Sequence, residues 1–241
     1  MKPILIPYYG TKASIATKYP RPKYDTIIEP FAGAASYSLR YPSRNVILYD
    51  KYERLIALWQ YLIEVTPEEI LSLPLITADT DPQQIPNIPQ EARDLIGWWS
   101  HPASPTPGNP STYFKLPQNH NAIGYWSAKC RQRIASIVPK IKHWQAYVGD
   151  YTDPPDIDAT WFIDPPYQVK GSIYKHSSKQ INYDHLADWC KSRTGQVMVC
   201  ENYGASWLPF EHFSQLTGGL LRKSREALWT NDGSHIHNTL F

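Results

Sequence analysis

Residues 25–50 read DTIIEPFAGAASYSLRYPSRNVILYD, and this stretch determines the fold class. Two apolar runs, residues 25–29 and 45–50, each end in an acid, and a turn of small residues (30–36) and a short helix opening at 37–40 separate them. Residues 51–64 follow with apolar side chains at helical spacing. The order β-α-β-α predicts an α/β fold, with a parallel sheet covered by helices.

The pattern breaks after residue 64 and returns near residue 143. Ten prolines fall between residues 67 and 117. We expect short helices at 90–99 and 126–144, the second kinked or split at Pro139. Strands are predicted at 146–150, 159–164 and 196–201, and a helix at 184–191. Two closing strands, 220–223 and 226–230, are expected around Ser224-Arg225.

Composition and charge argue against a membrane-spanning, a zinc-binding or a disulfide-rich protein, and they leave nucleic-acid binding open. The net charge of +2 neither requires nor excludes nucleic acid. No apolar run is long enough to span a membrane. The three cysteines form no C-x-x-C pair, which indicates neither a zinc site nor a disulfide framework. We expect a reducing, cytoplasmic environment, without a metal or a membrane partner.

Three of the predicted strands end in acids: Glu29, Asp50 and Asp164. In doubly wound sheets, ligands bind outside the carboxyl ends of the strands, and an acid after the second strand often binds a ribose diol. Gly33, in the small-residue turn, allows close backbone approach to a ligand. The alternative is that these acids only cap the helices that follow.

The segment Asp164-Pro165-Pro166-Tyr167 follows the apolar run Trp161-Phe162-Ile163. Two prolines fix an extended backbone, which presents the Asp164 carboxylate and the Pro165 carbonyl as acceptors beside an aromatic ring. Such a set suits a planar group that bears an NH2. Asp153-Pro154-Pro155 has the same tripeptide without a preceding apolar run or a following aromatic residue, so the tripeptide alone is weak evidence.

Taken together, the motifs resemble the Dam-type (class alpha order) DNA adenine-N6 methyltransferases. The matching pieces are residues 8–12 (YYGTK), 29–35 (EPFAGAA), Asp50, Gly149-Asp150 and the 164–167 segment. Their order also fits: the cofactor motif comes first, then an insert, then the catalytic loop. Thr11 and Ala35 depart from the family pattern, because each stands where a glycine is usual.

The resemblance implies a Rossmann-like fold with a mostly parallel seven-stranded sheet. A catalytic and cofactor-binding domain would comprise residues 1–64 and 143–241. A mainly helical and loop insert, residues 65–142, would recognise the DNA target. The implied partner is double-stranded DNA, bound by a monomer.

The resemblance also implies roles for individual residues. The catalytic residues would be Asp164, Pro165, Pro166 and Tyr167, which hold a flipped adenine. The cofactor, S-adenosyl-L-methionine, would be bound by Tyr8, Gly10, Lys12, Glu29, Phe31, Gly33, Asp50, Asp150 and Asp164.

Basic side chains are candidates for the DNA contact. They are Lys129, Arg131, Arg133, Arg222, Lys223 and Arg225. The alternative is a solvated helix face.

The enzyme class also has alternatives: a methyltransferase of the same fold acting on cytosine N4, an RNA base or protein glutamine, or an inactive DNA-binding relative. Asp164 favours adenine, since Ser or Asn is more usual there in enzymes that act on the other amines.

Overall fold

The computed structural model describes residues 3–116, 124–169, 174–217 and 223–233. These residues form two compact units. The first contains the chain up to Ala13 with Gly33–Ser43 and Glu53–Ala146, and the second contains Ser14–Ala32, Arg44–Tyr52 and the chain from Tyr147 onward. The predicted boundaries of the catalytic domain and the insert stay a prediction.

Within the described ranges the strands form one seven-stranded sheet, in the order β3-β2-β1-β4-β5-β7-β6. The strands are β1 (Thr26–Glu29), β2 (Asn45–Asp50), β3 (Gln145–Val148), β4 (Ala159–Ile163), β5 (Gly195–Asn202), β6 (Glu211–Thr217) and β7 (Lys223–Thr230). β1 pairs in parallel with β2 and β4, and β4 pairs in parallel with β5. β7 is antiparallel to both β5 and β6.

This topology confirms the α/β prediction and the seven strands. The order 3-2-1-4-5 is that of doubly wound sheets. The sheet is mixed, however, because β7 runs antiparallel to both of its neighbours, β5 and β6. A seven-stranded α/β sheet of this kind is consistent with a methyltransferase fold.

The central strands are buried because parallel strands are covered on both faces. All five residues of β4 are buried, as are the last seven of β5. Helix α5 (Tyr183–Ser192) places Leu186 and Cys190 in the same core cluster as Trp161 and Val199. Asn182 begins this helix by accepting hydrogen bonds from the backbone N–H groups of Asp184 and His185.

The predicted break at Ser224-Arg225 is wrong, since both residues lie inside the continuous strand β7. Residues 220–222 lie outside the described part of the chain. Strand β6 was not predicted, because its sequence, EHFSQLT, has few apolar side chains. An edge strand needs little apolar surface, so its composition gives a weak signal.

The first unit contains helices α1 (Glu53–Glu64), α2 (Pro67–Ser72), α3 (Gln90–Ser100) and α4 (Ala128–Ile137). Buried tryptophans dominate its core, and four of them donate their indole N–H to a backbone carbonyl: Trp59 to Gly33, Trp99 to Leu5, Trp126 to Pro74 and Trp144 to Pro42. Buried indoles usually find such a partner.

No helix in the described ranges has the length and apolar character needed to cross a bilayer.

The predicted split at Pro139 is confirmed. α4 ends at Ile137, and Val138–Ile141 continues as a short 3₁₀ helix that contains the proline. α2 was not predicted, although its start carries a capping box: the Thr66 side chain accepts from the Glu69 N–H while the Glu69 carboxylate accepts from the Thr66 N–H.

Gly195, at the start of β5, provides a stability test. Its φ is +90°, and a Cβ there would lie 2.3 Å from the Ala159 carbonyl oxygen in β4. Gly204 has a similar φ of +103°, yet nothing lies within 4 Å of its Cβ position. We expect Gly195→Ala to lower the free energy of unfolding by about 3 kcal/mol, and Gly204→Ala by about 1 kcal/mol. Urea denaturation followed by circular dichroism measures both, and equal losses would contradict a role for the close approach to Ala159.

Candidate functional site

The carboxyl ends of β1, β2 and β4 lie side by side at one edge of the sheet. Glu29 pairs with Leu48 of β2, and Ile28 pairs with Trp161 of β4. Glu29 and Asp50 are the last residues of their strands, and Asp164 follows the last residue of β4, so the three acids lie at neighbouring strand ends as the sequence pattern predicts. Glu29 is buried, and the other two are half-buried.

Asp50 and Asp150 lie in two chain segments that contact each other. The Gly149 N–H donates to the Asp50 carbonyl at 3.1 Å, and Lys51 forms an ion pair with Asp150 at 2.5 Å. Asp50 also accepts from the Tyr52 N–H at 2.9 Å, just before α1 begins. One oxygen of Asp50 thus closes a local turn ahead of the helix.

Phe31 follows the end of β1 and stacks on Tyr151, with ring centroids 5.6 Å apart and planes inclined by 23°. The Tyr151 hydroxyl lies 2.5 Å from His185 Nδ1 on α5. Burial, together with the charge of Asp150, raises the pKa of Tyr151, so the phenol stays protonated. The Phe31 ring therefore rests on an aromatic ring that is itself fixed by a hydrogen bond.

The first unit brings together four of the predicted cofactor residues. Tyr8 is buried, and its ring lies 3.6 Å from the position of a Cβ on Gly33. Lys12 is also buried, and its ammonium donates to the Gly10 carbonyl at 3.3 Å. Gly33 has a φ of +46°, which glycine adopts at little cost.

Ala35 keeps the backbone conformation that a glycine would adopt. Its φ is +44°, although its side chain is almost fully buried. This conformation costs a non-glycine residue about 1–2 kcal/mol. At the other departure, the Thr11 hydroxyl hydrogen-bonds the hydroxyl of Ser36, in the same turn as Ala35, at 2.8 Å. Both departures therefore lie in or against one turn, residues 33–36.

The loop 164–168 is fixed by three hydrogen bonds from different elements of the second unit. The Tyr183 hydroxyl at the start of α5 donates to the Pro166 carbonyl at 2.6 Å. The Tyr167 hydroxyl donates to Glu226 Oε2 of β7 at 2.6 Å. The Gln168 N–H donates to Glu201 of β5 at 3.1 Å. The first bond uses the carbonyl of Pro166 and does not involve the predicted acceptor, the carbonyl of Pro165.

Charge and burial keep the phenol of this loop protonated. Burial, reinforced by the charges of Asp164 and Glu226, raises the pKa of Tyr167 well above its usual value. Burial also raises the pKa of Glu201, although hydrogen bonds from Asn202, Trp207 and the loop oppose that effect. The loop is therefore surrounded by acidic groups and carries a neutral phenol.

The second Asp-Pro-Pro segment has a local structural role. Asp153 accepts from the Asp150 N–H at 2.8 Å, and its own N–H donates to the Asp150 carbonyl at 3.0 Å. These bonds close a turn of four residues. The two Asp-Pro-Pro segments therefore differ in structure as their contexts predicted.

The basic residues predicted for DNA differ in exposure. Lys129 and Arg225 are exposed. Arg131 is half-buried and donates to the carbonyls of Leu71 and Leu73. Arg133 is buried, with its guanidinium 4.4 Å above the Trp99 ring, so it does not belong to a solvated face. Arg222 and the side chain of Lys223 lie outside the described residues.

The sequence patterns did not predict Glu201, Glu226 and Tyr183, which hydrogen-bond the loop 164–168. A signal exists for the two acids: each stands beside an apolar run of its strand, where a carboxylate is rare unless it has a partner. Tyr183 gives no such signal.

Among the described residues, no group of three or more His, Cys, Asp or Glu side chains could hold a metal ion.

One protein-family model matches part of the chain. No curated protein is significantly similar to the chain. Residues 10–85 match the model of a family described as "D12 class N6 adenine-specific DNA methyltransferase". The matched range includes Phe31, Gly33 and Asp50, and the loop at 164–167 lies beyond it. The match confirms the resemblance that the motifs indicate: over residues 10–85, this chain is similar to the D12 class N6 adenine-specific DNA methyltransferases.

Proposed function

We propose that the protein transfers a methyl group from S-adenosyl-L-methionine to the N6 amine of an adenine flipped out of double-stranded DNA. The family match supports an adenine-N6 DNA methyltransferase. The observation that carries the finer proposal is the loop Asp164–Gln168, which leaves the carboxyl end of β4 and is fixed by Tyr183, Glu226 and Glu201.

In the second unit, Phe31, Asp50 and Asp150 would contact the methyl donor. An acid at the end of the second strand suits a ribose diol, and a supported aromatic ring suits an adenine face. The acidic surroundings of the loop suit a positively charged sulfonium. When bound, the donor supplies an electrophilic methyl group. The roles of Tyr8, Gly10, Lys12, Glu29 and Gly33 rest on the resemblance.

The chemistry assigned to the loop follows from the weakness of the adenine amine as a nucleophile. Its lone pair is delocalised into the ring. Hydrogen bonds from the NH2 group to the Asp164 carboxylate and the Pro165 carbonyl favour a pyramidal nitrogen with an available lone pair. Positioning and preorganised charge supply the rate gain, so neither a covalent intermediate nor a catalytic cysteine is needed.

The base has to leave the helix to reach this loop. Unstacking and unpairing cost a few kcal/mol, which stacking on an aromatic side chain partly offsets. We assign that stacking to Tyr167. The exposed Lys129 and Arg225 would contact phosphates, each on its own unit.

Asp164 tests the mechanism. We expect Asp164→Ala to reduce methyl transfer by at least about 1,000-fold, since it removes the acceptor that activates the amine. Radiolabelled S-adenosylmethionine and DNA without prior adenine methylation measure the transfer, and Asp188→Ala, at an exposed site on α5, is the control. Full activity of a folded Asp164→Ala protein would rule the mechanism out.

The same experiment separates the alternatives through the product. N6-methyldeoxyadenosine in the digested DNA supports the proposal, whereas N4-methyldeoxycytidine identifies the cytosine enzyme. Methyl transfer to RNA or protein alone would place the chain in another class. Binding of DNA without any transfer would identify an inactive relative.

Phe31 tests the cofactor site. We expect Phe31→Ala to weaken S-adenosylmethionine binding by about tenfold, because an aromatic contact contributes about 1 kcal/mol beyond the area it buries. Isothermal titration calorimetry measures the dissociation constant. Tyr113→Ala removes an exposed aromatic ring of the first unit and should leave it unchanged. An unchanged constant in Phe31→Ala would remove this ring from the site.

Salt dependence tests the DNA-binding surface. We expect the charge reversal Lys129→Glu with Lys140→Glu, two exposed residues of the first unit, to weaken DNA binding. The slope of log K against log salt should fall by about 0.9 for each phosphate that the protein no longer neutralises. Lys191→Glu on α5 is the matched control. An unchanged slope would show that this helix face is only solvated.

A further inference from the structure

Glu226 is a buried acid in β7. Only 3% of its surface is exposed, and it is followed by the buried residues Ala227 and Leu228. It lies opposite Asn202 of β5 and Ser214 of β6. Burying a carboxylate costs several kcal/mol unless hydrogen bonds compensate, so its presence here requires a specific partner.

The Tyr167 hydroxyl is such a partner. It donates to Glu226 Oε2 at 2.6 Å, a short hydrogen bond. Because burial keeps the phenol protonated, Tyr167 remains a donor across the physiological pH range. The hydrogen bond fixes the position of the phenolic oxygen. Because a phenolic O–H prefers to lie in the plane of its ring, the direction of the bond to Glu226 also restrains rotation of the ring about its long axis.

We propose that Glu226 is a positioning residue that holds the Tyr167 ring in the orientation at which a planar substrate base stacks. The inference rests on the proposed function and assigns to β7 a part in it. Glu226 acts through Tyr167 and need not contact the substrate. Its hydrogen bond orders the ring in advance, so base binding does not have to bear that entropic cost.

The test compares Glu226→Leu, Glu226→Gln, Tyr167→Phe and the double variant Glu226→Leu/Tyr167→Phe. Leucine fills a similar volume without an acceptor, and such replacements of buried charges often stay folded. Glutamine keeps an acceptor oxygen. Phenylalanine keeps the ring and removes the hydroxyl, so it breaks the same bond from the other side. Glu211→Gln, at an exposed position of β6, is the control.

We expect kcat for DNA methylation to fall about tenfold in Glu226→Leu and in Tyr167→Phe, with the affinity for S-adenosylmethionine unchanged. The double variant should lose no more than either single variant, because each removes the same bond. Glu226→Gln should recover most of the activity. Wild-type kcat in folded Glu226→Leu, or losses that multiply in the double variant, would overturn the proposal.

A second readout needs no DNA. In protein with ¹³C-labelled tyrosine, the Tyr167 ring signal is identified by its loss in Tyr167→Phe. It should shift in Glu226→Leu and keep its position in Glu211→Gln. An unchanged Tyr167 signal in Glu226→Leu overturns the positioning role. A wild-type protein that methylates no DNA instead overturns the proposed function, and the ring signal still decides what Glu226 does.

Discussion

Two adjacent prolines end β4 at the sheet edge, and the candidate site depends on this termination. Pro165 and Pro166 have no N–H to offer a neighbouring strand, so the ladder between β4 and β5 stops at Ile163. The chain must then leave the sheet with the Asp164 carboxylate at its rim. Parallel pairing of β1 with β2 and β4 brings Glu29 and Asp50 to the same rim. The acids share this rim because of strand direction, without any local motif that joins them.

A loop that cannot use backbone ladders has to be fixed by side chains. Here α5, β5 and β7 each contribute one, and two of the three are buried acids. The antiparallel direction of β7 is what makes Glu226 available. Since Met198 pairs with Thr230 and Asn202 with Glu226, the early part of β7 lies at the carboxyl end of β5. A parallel strand would have placed the same residue at the opposite edge.

The sequence predicted the parts of the fold that repeat a strong local pattern. The strands β1, β2, β4 and β5 follow from apolar runs and the helix α1 from apolar side chains at helical spacing, and Pro139 marked the end of α4. The polar strand β6 and the continuity of β7 could not be predicted, because strand pairing supplies what their composition lacks. Burial of Arg133 over Trp99 likewise depends on a tertiary contact. At the candidate site, the acids at the strand ends could be predicted from the sequence. The residues that fix the loop could not, because they are far from it along the chain.

The bond between Tyr167 and Glu226 joins residues 59 positions apart, with α5, β5 and β6 between them. During synthesis, Asp164-Pro165-Pro166-Tyr167 therefore emerges from the ribosome several seconds before Glu226 does, at ordinary rates of elongation. Until β7 inserts between β5 and β6, the loop lacks one of its three anchors. The nascent chain can thus complete its parallel strands while Tyr167 still lacks its hydrogen-bond acceptor, so that this part of the candidate site forms only when β7 joins the sheet.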